Sequence, residues 1–370
     1  MSKKKKEQLK YYSLENILKK NAHYNIIIGE RSNGKTTAVL KYCLQHYIDT
    51  GKQTAYIRRY EEDIKGNRGE NVFAVLLSLG FIQEATSGLY DRIVYRGRAW
   101  YLGVYNELDE KIETQEKPFA YAFALTKQES YKGLSYPDID TVLFDEFLTR
   151  TYYLHDEFIT YMNLLSTIIR QRDGIKIFML GNTVNKSSVY FKEMGLTHVK
   201  DMQKGSIDIY TYGKGALKVA VEFADFPSKE KPSDVYFAFD NPRLNMITGT
   251  GEVWEIAMYP HAPCKWKPKD IIFSYFIQFD GELLQADVIM LNDNVFTFVH
   301  RKTTPIQDET TDLVFSPDYS IKNNYRRKID TPQDTIGDKI YKQYKYDRVY
   351  YQDNETGEIV RNYLAWCAQN

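Results

Sequence analysis

The segment that most restricts the fold of this chain is a short apolar run that ends in a glycine-rich turn. The run Tyr24–Gly29 (YNIIIG) predicts a strand that is buried on both faces of a parallel sheet. The pattern G-x-x-x-x-G-K-[ST] extends from Gly29 to Thr36, and helical periodicity continues over Thr36–Tyr47. A strand, this turn and a helix in that order form a P-loop, whose backbone N–H groups surround phosphate oxygens.

The residues of this loop have distinct expected tasks. Gly29 and Gly34 let the backbone turn inward, while Lys35 neutralises the β- and γ-phosphates and the Thr36 hydroxyl binds Mg²⁺. A guanine-reading N-K-x-D motif would need Asp where Ser188 stands, which favours ATP over GTP. The predicted nucleotide-binding residues are Gly29, Arg31, Ser32, Asn33, Gly34, Lys35, Thr36 and Thr37.

Two further strand ends carry the polar residues that such a site needs. The apolar run Thr141–Asp145 is followed by Glu146, which is the Walker B pattern: Asp145 is suited to the Mg²⁺ shell and Glu146 to polarising an attacking water. The run Ile177–Gly181 leads into Asn182, whose amide either senses the γ-phosphate or stabilises a turn. The pair of acids favours hydrolysis by water over phosphoryl transfer to a small acceptor.

Several basic residues are candidates for phosphate or DNA contacts. Arg170 and Arg172 end a predicted helix, where a cation either complements the helix dipole or acts as an arginine finger on transition-state charge. Lys65 and Arg68 lie in a polar loop, where solvent-exposed side chains and DNA contacts fit the sequence equally well. The same two interpretations apply to Arg58, Arg59 and Lys132.

The first part of the chain is predicted to be an α/β domain. Strands alternate with helices there, which predicts a parallel sheet with helices on both faces. The predicted strands are Tyr24–Gly29, Thr54–Tyr60, Phe119–Leu125, Thr141–Asp145 and Ile175–Gly181, with a hairpin of Ile93–Tyr95 and Trp100–Leu102. The predicted helices begin at Ser13, cover Thr36–Tyr47 and Glu157–Arg170, and include one that ends with Leu76–Phe81.

The second part is predicted to be a small β-rich α+β domain. The length of 370 residues supports two domains, because one core rarely grows beyond roughly 250–300 residues. A proline-containing linker region at 226–246 would separate an ATPase domain, 1–225, from a C-terminal domain, 247–370. Its predicted strands are Val253–Met258, Ile271–Phe279, Leu283–Leu291 and Val295–His300, and its predicted closing helix is Thr335–Tyr346.

The composition excludes several classes of protein. The 49 Lys and Arg balance 49 Asp and Glu, which argues against a DNA-coating protein but allows nucleic-acid contacts through a few loops. Cys43, Cys264 and Cys367 are far apart, which predicts a reducing compartment and no metal cluster. No apolar run approaches the ~18 residues of a membrane helix. No apolar h-region follows the basic start, so we expect a soluble intracellular protein without a secretory signal.

Together, these segments resemble the genome-packaging motor ATPases of phi29-like phages. The resemblance covers about residues 20–190, while the C-terminal half matches only in its pattern of strands. The matching segments follow the family's order and are the P-loop, Tyr56-Ile-Arg-Arg-Tyr60, Tyr95-Arg-Gly-Arg98, Lys132 with Tyr136-Pro137, Val142-Leu-Phe-Asp-Glu-Phe147, Ile169-Arg-Gln-Arg172 and Leu180-Gly-Asn182.

The resemblance implies an ASCE-type P-loop ATPase that drives double-stranded DNA into a preformed capsid. The implied motor is a homopentameric ring, located in the host cytoplasm and transiently at the capsid portal, with a capsid-bound packaging RNA as a further candidate partner and no membrane. Arg170 falls on the family's trans-acting arginine finger, with Arg172 in reserve, and Lys132 on a second residue that reaches a neighbour's phosphates. Lys65 and Arg68 fall in the region of the DNA-gripping pore loop, although this loop is longer and more acidic here.

The C-terminal domain of that family resembles a reduced RNase H-like nuclease without cleavage activity. Asp280, Asp287 and Asp293 are the acids that a metal-dependent nuclease would need here. Asp280 and Asp293 lie in predicted hairpin turns, where Asp is common in any case, so we expect a vestigial nuclease fold. The motifs alone leave two other functions open, namely a helicase-like ATPase on single-stranded nucleic acid and a nucleotide-gated assembly module.

Overall fold

The chain divides into two compact units, each of which is described by itself. The N-terminal unit is formed by Met1–Arg150 and Asp156–Glu255, and the C-terminal unit by Thr151–His155 and Ile256–Asn370. None of the described helices combines the length and the apolar character needed to cross a bilayer. The computed structural model describes residues 12–29, 34–149, 153–154, 156–182, 188–214, 216–225, 259–262, 264–279, 281–306, 308, 310–318, 320–329 and 335–369.

The N-terminal unit is built around one large mixed sheet. Its described strands run in the order β3-β4-β6-β2-β7-β8-β1-β10-β9, and β5 pairs with β4. The six central strands, β6-β2-β7-β8-β1-β10 in spatial order, are parallel, as predicted. The outer strands, β9 on one side and β3, β4 and β5 on the other, are antiparallel. The strands are β1 Tyr24–Gly29, β2 Gln53–Arg58, β3 Arg92–Arg96, β4 Ala99–Asn106, β5 Lys111–Thr114, β6 Ala120–Ala124, β7 Ile139–Asp145, β8 Lys176–Asn182, β9 Ile207–Tyr212 and β10 Leu217–Phe223.

Helices cover both faces of this sheet, as the sequence predicts. Leu143 and Phe144 are neighbours on β7 and therefore point to opposite faces. Leu143 belongs to the core that includes Leu40 of α2, whereas the Phe144 ring packs on Tyr161 of α6 with centroids 5.0 Å apart. The helices are α1 Glu15–Leu18, α2 Lys35–Thr50, α3 Asn67–Asn71, α4 Ala74–Ser78, α5 Phe81–Ala85, α6 Glu157–Ile169 and α7 Val189–Glu193, with 3₁₀ turns at Glu61–Asp63, Leu125–Tyr131 and Thr197–Asp201.

The prediction of one helix ending at Phe81 is wrong. Helix α4 ends at Ser78, and α5 begins only at Phe81. Gly80 lies between them with φ +68°, a left-handed conformation that glycine adopts without steric cost and that interrupts the helix.

The strand register brings the predicted site residues together at the carboxyl ends of the central parallel strands, which form one edge of the sheet. Gly29 at the end of β1 lies beside Asn182 at the end of β8, and Asp145 at the end of β7 lies beside Leu180. Because these strands are parallel, their carboxyl ends open onto the same edge, where ligands of open α/β sheets bind.

The C-terminal unit contains a second sheet in the order β15-β14-β11-β12-β13-β16. Strands β11, β12 and β13 form the predicted antiparallel meander, and β14 and β16 extend it in parallel. The predicted closing helix is α8, but a further helix, α9, follows it. The predicted strand Val253–Met258 and Asp280 lie outside the described residues. The elements are β11 Ile271–Phe279, β12 Glu282–Leu291, β13 Asn294–Arg301, β14 Val314–Phe315, β15 Tyr325–Arg326, α8 Thr335–Lys345, β16 Val349–Tyr351 and α9 Asn354–Gln369, with a 3₁₀ turn at Pro268–Asp270.

Candidate nucleotide-binding site

The P-loop lysine is held at the start of α2. Gly34 adopts φ +87° directly before the helix, which turns the chain from β1 into α2. Lys35 is buried, and its Nζ donates a hydrogen bond of 3.1 Å to the Gly29 carbonyl. Thr37 lines a cavity of about 320 Å³ beside the first turn of α2. The predicted loop residues Arg31, Ser32 and Asn33 lie outside the described residues.

Asp145 and Thr36 supply adjacent oxygen ligands. The Thr36 hydroxyl donates to Asp145 Oδ1 at 3.3 Å, and the Tyr56 hydroxyl donates to Asp145 Oδ2 at 3.1 Å. Burial raises the pKa of the Asp145 carboxyl, and the opposing attraction of Arg58 does not cancel this effect. A buried carboxylate next to a hydroxyl is a donor set that fits Mg²⁺, which prefers oxygen ligands.

Glu146 is held by an arginine that sequence reasoning did not assign to the site. Glu146 Oε2 lies 2.7 Å from Arg58 Nη2, and the same guanidinium lies 3.7 Å from Asp145 and 3.8 Å from Asp63. Burial lowers the pKa of Arg58, but Tyr56 and the two Walker B carboxylates outweigh it and raise that pKa overall. The role of Arg58 follows from the pairing of β2 with β7, which no local sequence pattern shows.

Arg58 and Arg59 fit neither interpretation offered by the sequence. Both side chains are largely buried, with 18% and 7% of their surface exposed, so they are neither solvated basic residues nor positioned to contact DNA. Arg59 instead pairs with Glu157 at the start of α6.

Asn182 is placed where a γ-phosphate sensor would be expected. It ends β8 beside Gly29, and its side chain is half-buried. The register therefore brings Gly29, Lys35, Thr36, Asp145, Glu146 and Asn182 to one edge of the sheet.

The two candidates for an arginine finger, Arg170 and Arg172, lie at the amino ends of these parallel strands, opposite the nucleotide site. Arg172 donates to the carbonyl of Ile139, the first residue of β7, whereas Asp145 is the last. Strand β7 has seven residues, so its two ends lie about 20 Å apart. Arg170 caps the end of α6 with φ +45° and donates to the Leu134 carbonyl. Neither arginine is placed to reach the nucleotide site of its own subunit.

Arg170 and Arg172 differ in how firmly they are held. The Arg172 guanidinium donates to five backbone carbonyls, whereas the exposed Arg170 side chain makes one such bond. Lys132 is exposed two residues before Leu134, whose carbonyl accepts the bond from Arg170, and it forms an ion pair of 2.6 Å with Glu129. Arg170 and Lys132 are therefore both exposed, whereas the Arg172 guanidinium is bound to the backbone of its own subunit.

Lys65 and Arg68 are both exposed, but only Arg68 faces the site. Arg68 lines a cavity of about 440 Å³ together with Thr36, Arg58 and Asp145. Its guanidinium lies 3.4 Å from Asp63. A role of either residue in DNA contact stays a prediction.

Comparisons with known proteins identify related chains. The family model described as "Podovirus DNA encapsidation protein (Gp16)" matches residues 6–234. The chain is 27% identical over 197 residues to the DNA packaging protein of Bacillus phage phi29, an alignment that covers 52% of each chain. It is 28% identical over 185 residues to the DNA packaging protein of Bacillus phage B103, which covers 49% of this chain and 50% of that relative. The chain thus spans about half the length of the curated relatives it matches.

Two solved structures share the overall fold. One is described as the Phi-28 gp11 DNA packaging motor, with a TM-score of 0.58 and 17% identity, covering 96% of this chain and 97% of that chain. The other is described as the bacteriophage Phi-29 viral genome packaging motor assembly, with a TM-score of 0.58 and 19% identity, covering 97% of this chain and 98% of that chain. At these identities the likeness concerns the fold.

Proposed function

Because the chain belongs to the podovirus DNA encapsidation protein (Gp16) family, we propose that it is an ATP-hydrolysing motor that moves viral double-stranded DNA into a preformed capsid through the portal. The observation that carries this proposal is the pairing of Thr36 with Asp145, with Glu146 next in sequence, at the strand edge that also holds Lys35. The family match confirms the resemblance that the motifs indicated.

Each residue of the site has a chemical task in this proposal. Lys35 and the backbone before α2 bind the phosphates, and Thr36 and Asp145 hold Mg²⁺, which neutralises phosphate charge when it is bound. Glu146 accepts a proton from the attacking water, and Asn182 orients the γ-phosphate. Arg58 favours the ionised form of Asp145, from which its guanidinium lies 3.7 Å, and the same guanidinium pairs with Glu146 at 2.7 Å.

The proposed motor completes its active site between subunits. Arg170 is exposed at the end of the strands opposite to Asp145, so it would serve a neighbour's nucleotide. Lys132 is exposed two residues before Leu134, the partner of Arg170. The five backbone bonds of Arg172 favour Arg170 as the finger over Arg172. A homo-oligomeric ring, which we propose to be a pentamer, follows from this division of the site.

We also propose the domain limits 1–225 and 247–370, with a vestigial RNase H-like fold in the C-terminal domain. A meander extended by parallel strands supports that fold. The Asp287 carboxylate accepts hydrogen bonds from Ser274 at 2.7 Å and Gln285 at 2.8 Å and lies 3.2 Å from His300, so its oxygens are engaged by protein groups. Docking on a packaging RNA at the portal, in the host cytoplasm, is part of the same proposal.

The decisive experiment measures ATP-dependent entry of double-stranded DNA into purified empty capsids that carry this protein. We expect DNA to become nuclease-resistant only with ATP, and Glu146→Gln to abolish that protection. ATPase stimulation by single-stranded but not double-stranded DNA would instead indicate a helicase. Nucleotide binding without DNA-stimulated hydrolysis would indicate an assembly module.

A further inference from the structure

A buried charged cluster lies behind the turn that carries Glu146. Arg59 donates from Nε to Glu157 Oε2 at 2.7 Å and from Nη2 to Glu157 Oε1 at 2.9 Å. The Tyr190 hydroxyl donates to the same Oε1 at 2.7 Å. The Glu157 side chain is fully buried and only 7% of the Arg59 side chain is exposed, so a bidentate pair is needed to stabilise both charges there.

The same guanidinium also holds the backbone of the Walker B turn. Arg59 Nη1 donates to the Glu146 carbonyl at 3.3 Å, and Nη2 donates to the Phe147 carbonyl at 2.6 Å. These bonds join the end of β2 to the turn that follows β7, while Glu157 anchors the arginine to the first turn of α6.

The backbone of Glu146, whose carbonyl Arg59 binds, adopts a strained conformation that neighbouring groups must stabilise. Glu146 has φ +57°, in the left-handed region that a side chain with a Cβ rarely adopts. Such conformations persist where the surroundings over-determine them, often at functional sites. The two carbonyl bonds from Arg59 supply that constraint, and the Phe147 N–H bond of 3.1 Å to the Leu180 carbonyl adds a third.

We propose that Arg59, fixed by Glu157 and Tyr190, is a positioning residue that sets the backbone direction of Glu146 and so aims its carboxylate at the attacking water. The inference rests on the proposed ATPase function. Arg59 touches neither nucleotide nor water in this proposal, so its loss lowers turnover and leaves nucleotide binding unchanged. Arg58 and Arg59 thus hold the same residue from two sides, one at its carboxylate and one at its carbonyl.

The test replaces the whole cluster by apolar side chains of similar size, with the triple variant Arg59→Met, Glu157→Met and Tyr190→Phe. This design removes both charges of the described Arg59–Glu157 pair together, whereas Arg59→Met or Glu157→Met alone would leave the other charge buried without this partner. We expect a folded protein with the ATP KM within about twofold of wild type and kcat lowered about 10²-fold, the effect of misplacing a reacting group by about 1 Å. His46→Gln is the matched control, because it replaces the side chain whose Nε2 lies 2.8 Å from the Asp140 carboxylate near the other end of β7, and it should retain kcat.

The conservative variant Arg59→Lys gives an independent measurement. One ammonium group can pair with Glu157 but cannot span the carboxylate and both carbonyls, so kcat should fall to an intermediate value at unchanged KM. Wild-type kcat in the folded triple variant would overturn the proposal, as would wild-type kcat in Arg59→Lys if the triple variant does not fold. A parallel rise in KM and loss of ATP binding would also contradict it. If Glu146→Gln itself hydrolyses normally, the failure is that of the proposed function.

Discussion

At the scale of single residues, Lys35 and Glu146 perform separate tasks that substitution should separate. Lys35→Ala should weaken ATP binding, because the phosphates lose their buried cation. Glu146→Gln should bind ATP normally but hydrolyse it at least about 10²-fold more slowly, since the amide keeps the shape and loses the base. Equilibrium binding of a fluorescent ATP analogue and a phosphate-release assay measure the two steps. Glu113→Gln, an exposed acid in the same unit, is the control, and normal hydrolysis by Glu146→Gln would contradict the Walker B assignment.

Tyr56 should influence the pH dependence of metal binding. Its hydroxyl donates to Asp145, which favours the ionised carboxylate and opposes the burial that raises the pKa of Asp145. In Tyr56→Phe this pKa rises further, so the acid side of the profile of Mg²⁺-dependent ATP binding should move to higher pH. Phenylalanine preserves the edge contact with Trp100, at 5.6 Å between ring centroids. Titrations of ATP binding with and without Mg²⁺ test this, with Tyr47→Phe as control, and an unchanged acid limb would disprove the role.

The sequence predicted the residues of the site that a motif defines and missed those that only strand neighbours define. The P-loop and the Asp-Glu pair depend on local spacing, which is visible in one segment. Arg58 becomes part of the site because β2 lies beside β7, and Arg59 is buried because α6 supplies Glu157. Two adjacent arginines look alike in sequence, but Arg58 is the last residue of β2 and Arg59 lies just beyond the strand, and the two side chains have different partners.

At the scale of elements, the two arginines at the end of α6 should differ in role, with Arg172 needed for stability and Arg170 for turnover. Arg172→Met should remove the guanidinium donor from five backbone carbonyls at the end of α6 and at the start of β7, and so lower stability by about 1–3 kcal/mol, or several degrees in Tm. Arg170→Met should leave Tm nearly unchanged and abolish most ATPase activity. Calorimetry and ATPase assays on both variants check this. The reverse pattern, with Arg172 essential for turnover but not for stability, would move the finger two residues along.

Elements with a clear apolar pattern were predictable, and those with mixed patterns were not. Strands β1, β7 and β8 are buried runs, whereas β9 is an edge strand of alternating burial and β10 contains Lys218 and Glu222. Glu222 is tolerated because it accepts a hydrogen bond from Tyr12 across the fold, which no local pattern shows. Helix α9 begins with the turn-like sequence NETG, yet Gly357 is required there because a Cβ would meet the Tyr259 ring at 2.2 Å.

At the scale of the whole molecule, mixed subunits should reveal which nucleotide Arg170 serves. An Arg170→Ala subunit keeps Glu146, and a Glu146→Gln subunit keeps Arg170, so their interface in the right order rebuilds a complete site. A finger in trans contributes on the order of 10³-fold or more, so each variant alone should be nearly inactive. Mixtures should therefore recover part of the ATPase rate. No recovery in rings that are shown by sizing to contain both variants would place the finger in its own subunit.

Arg170 and Asp145 lie toward opposite ends of strand β7, and this separation also affects the activity expected of a subunit before it assembles. In the proposed motor each subunit carries half of a site on each side, so a free subunit would have no complete site, an open row of subunits one fewer than its members, and a closed ring as many as its members. Newly made protein would then be a dormant enzyme that spares the ATP pool of the infected cell. Hydrolysis would begin when two subunits associate and reach its full rate per subunit when the ring closes, so the rate per subunit would report how much of the protein is assembled.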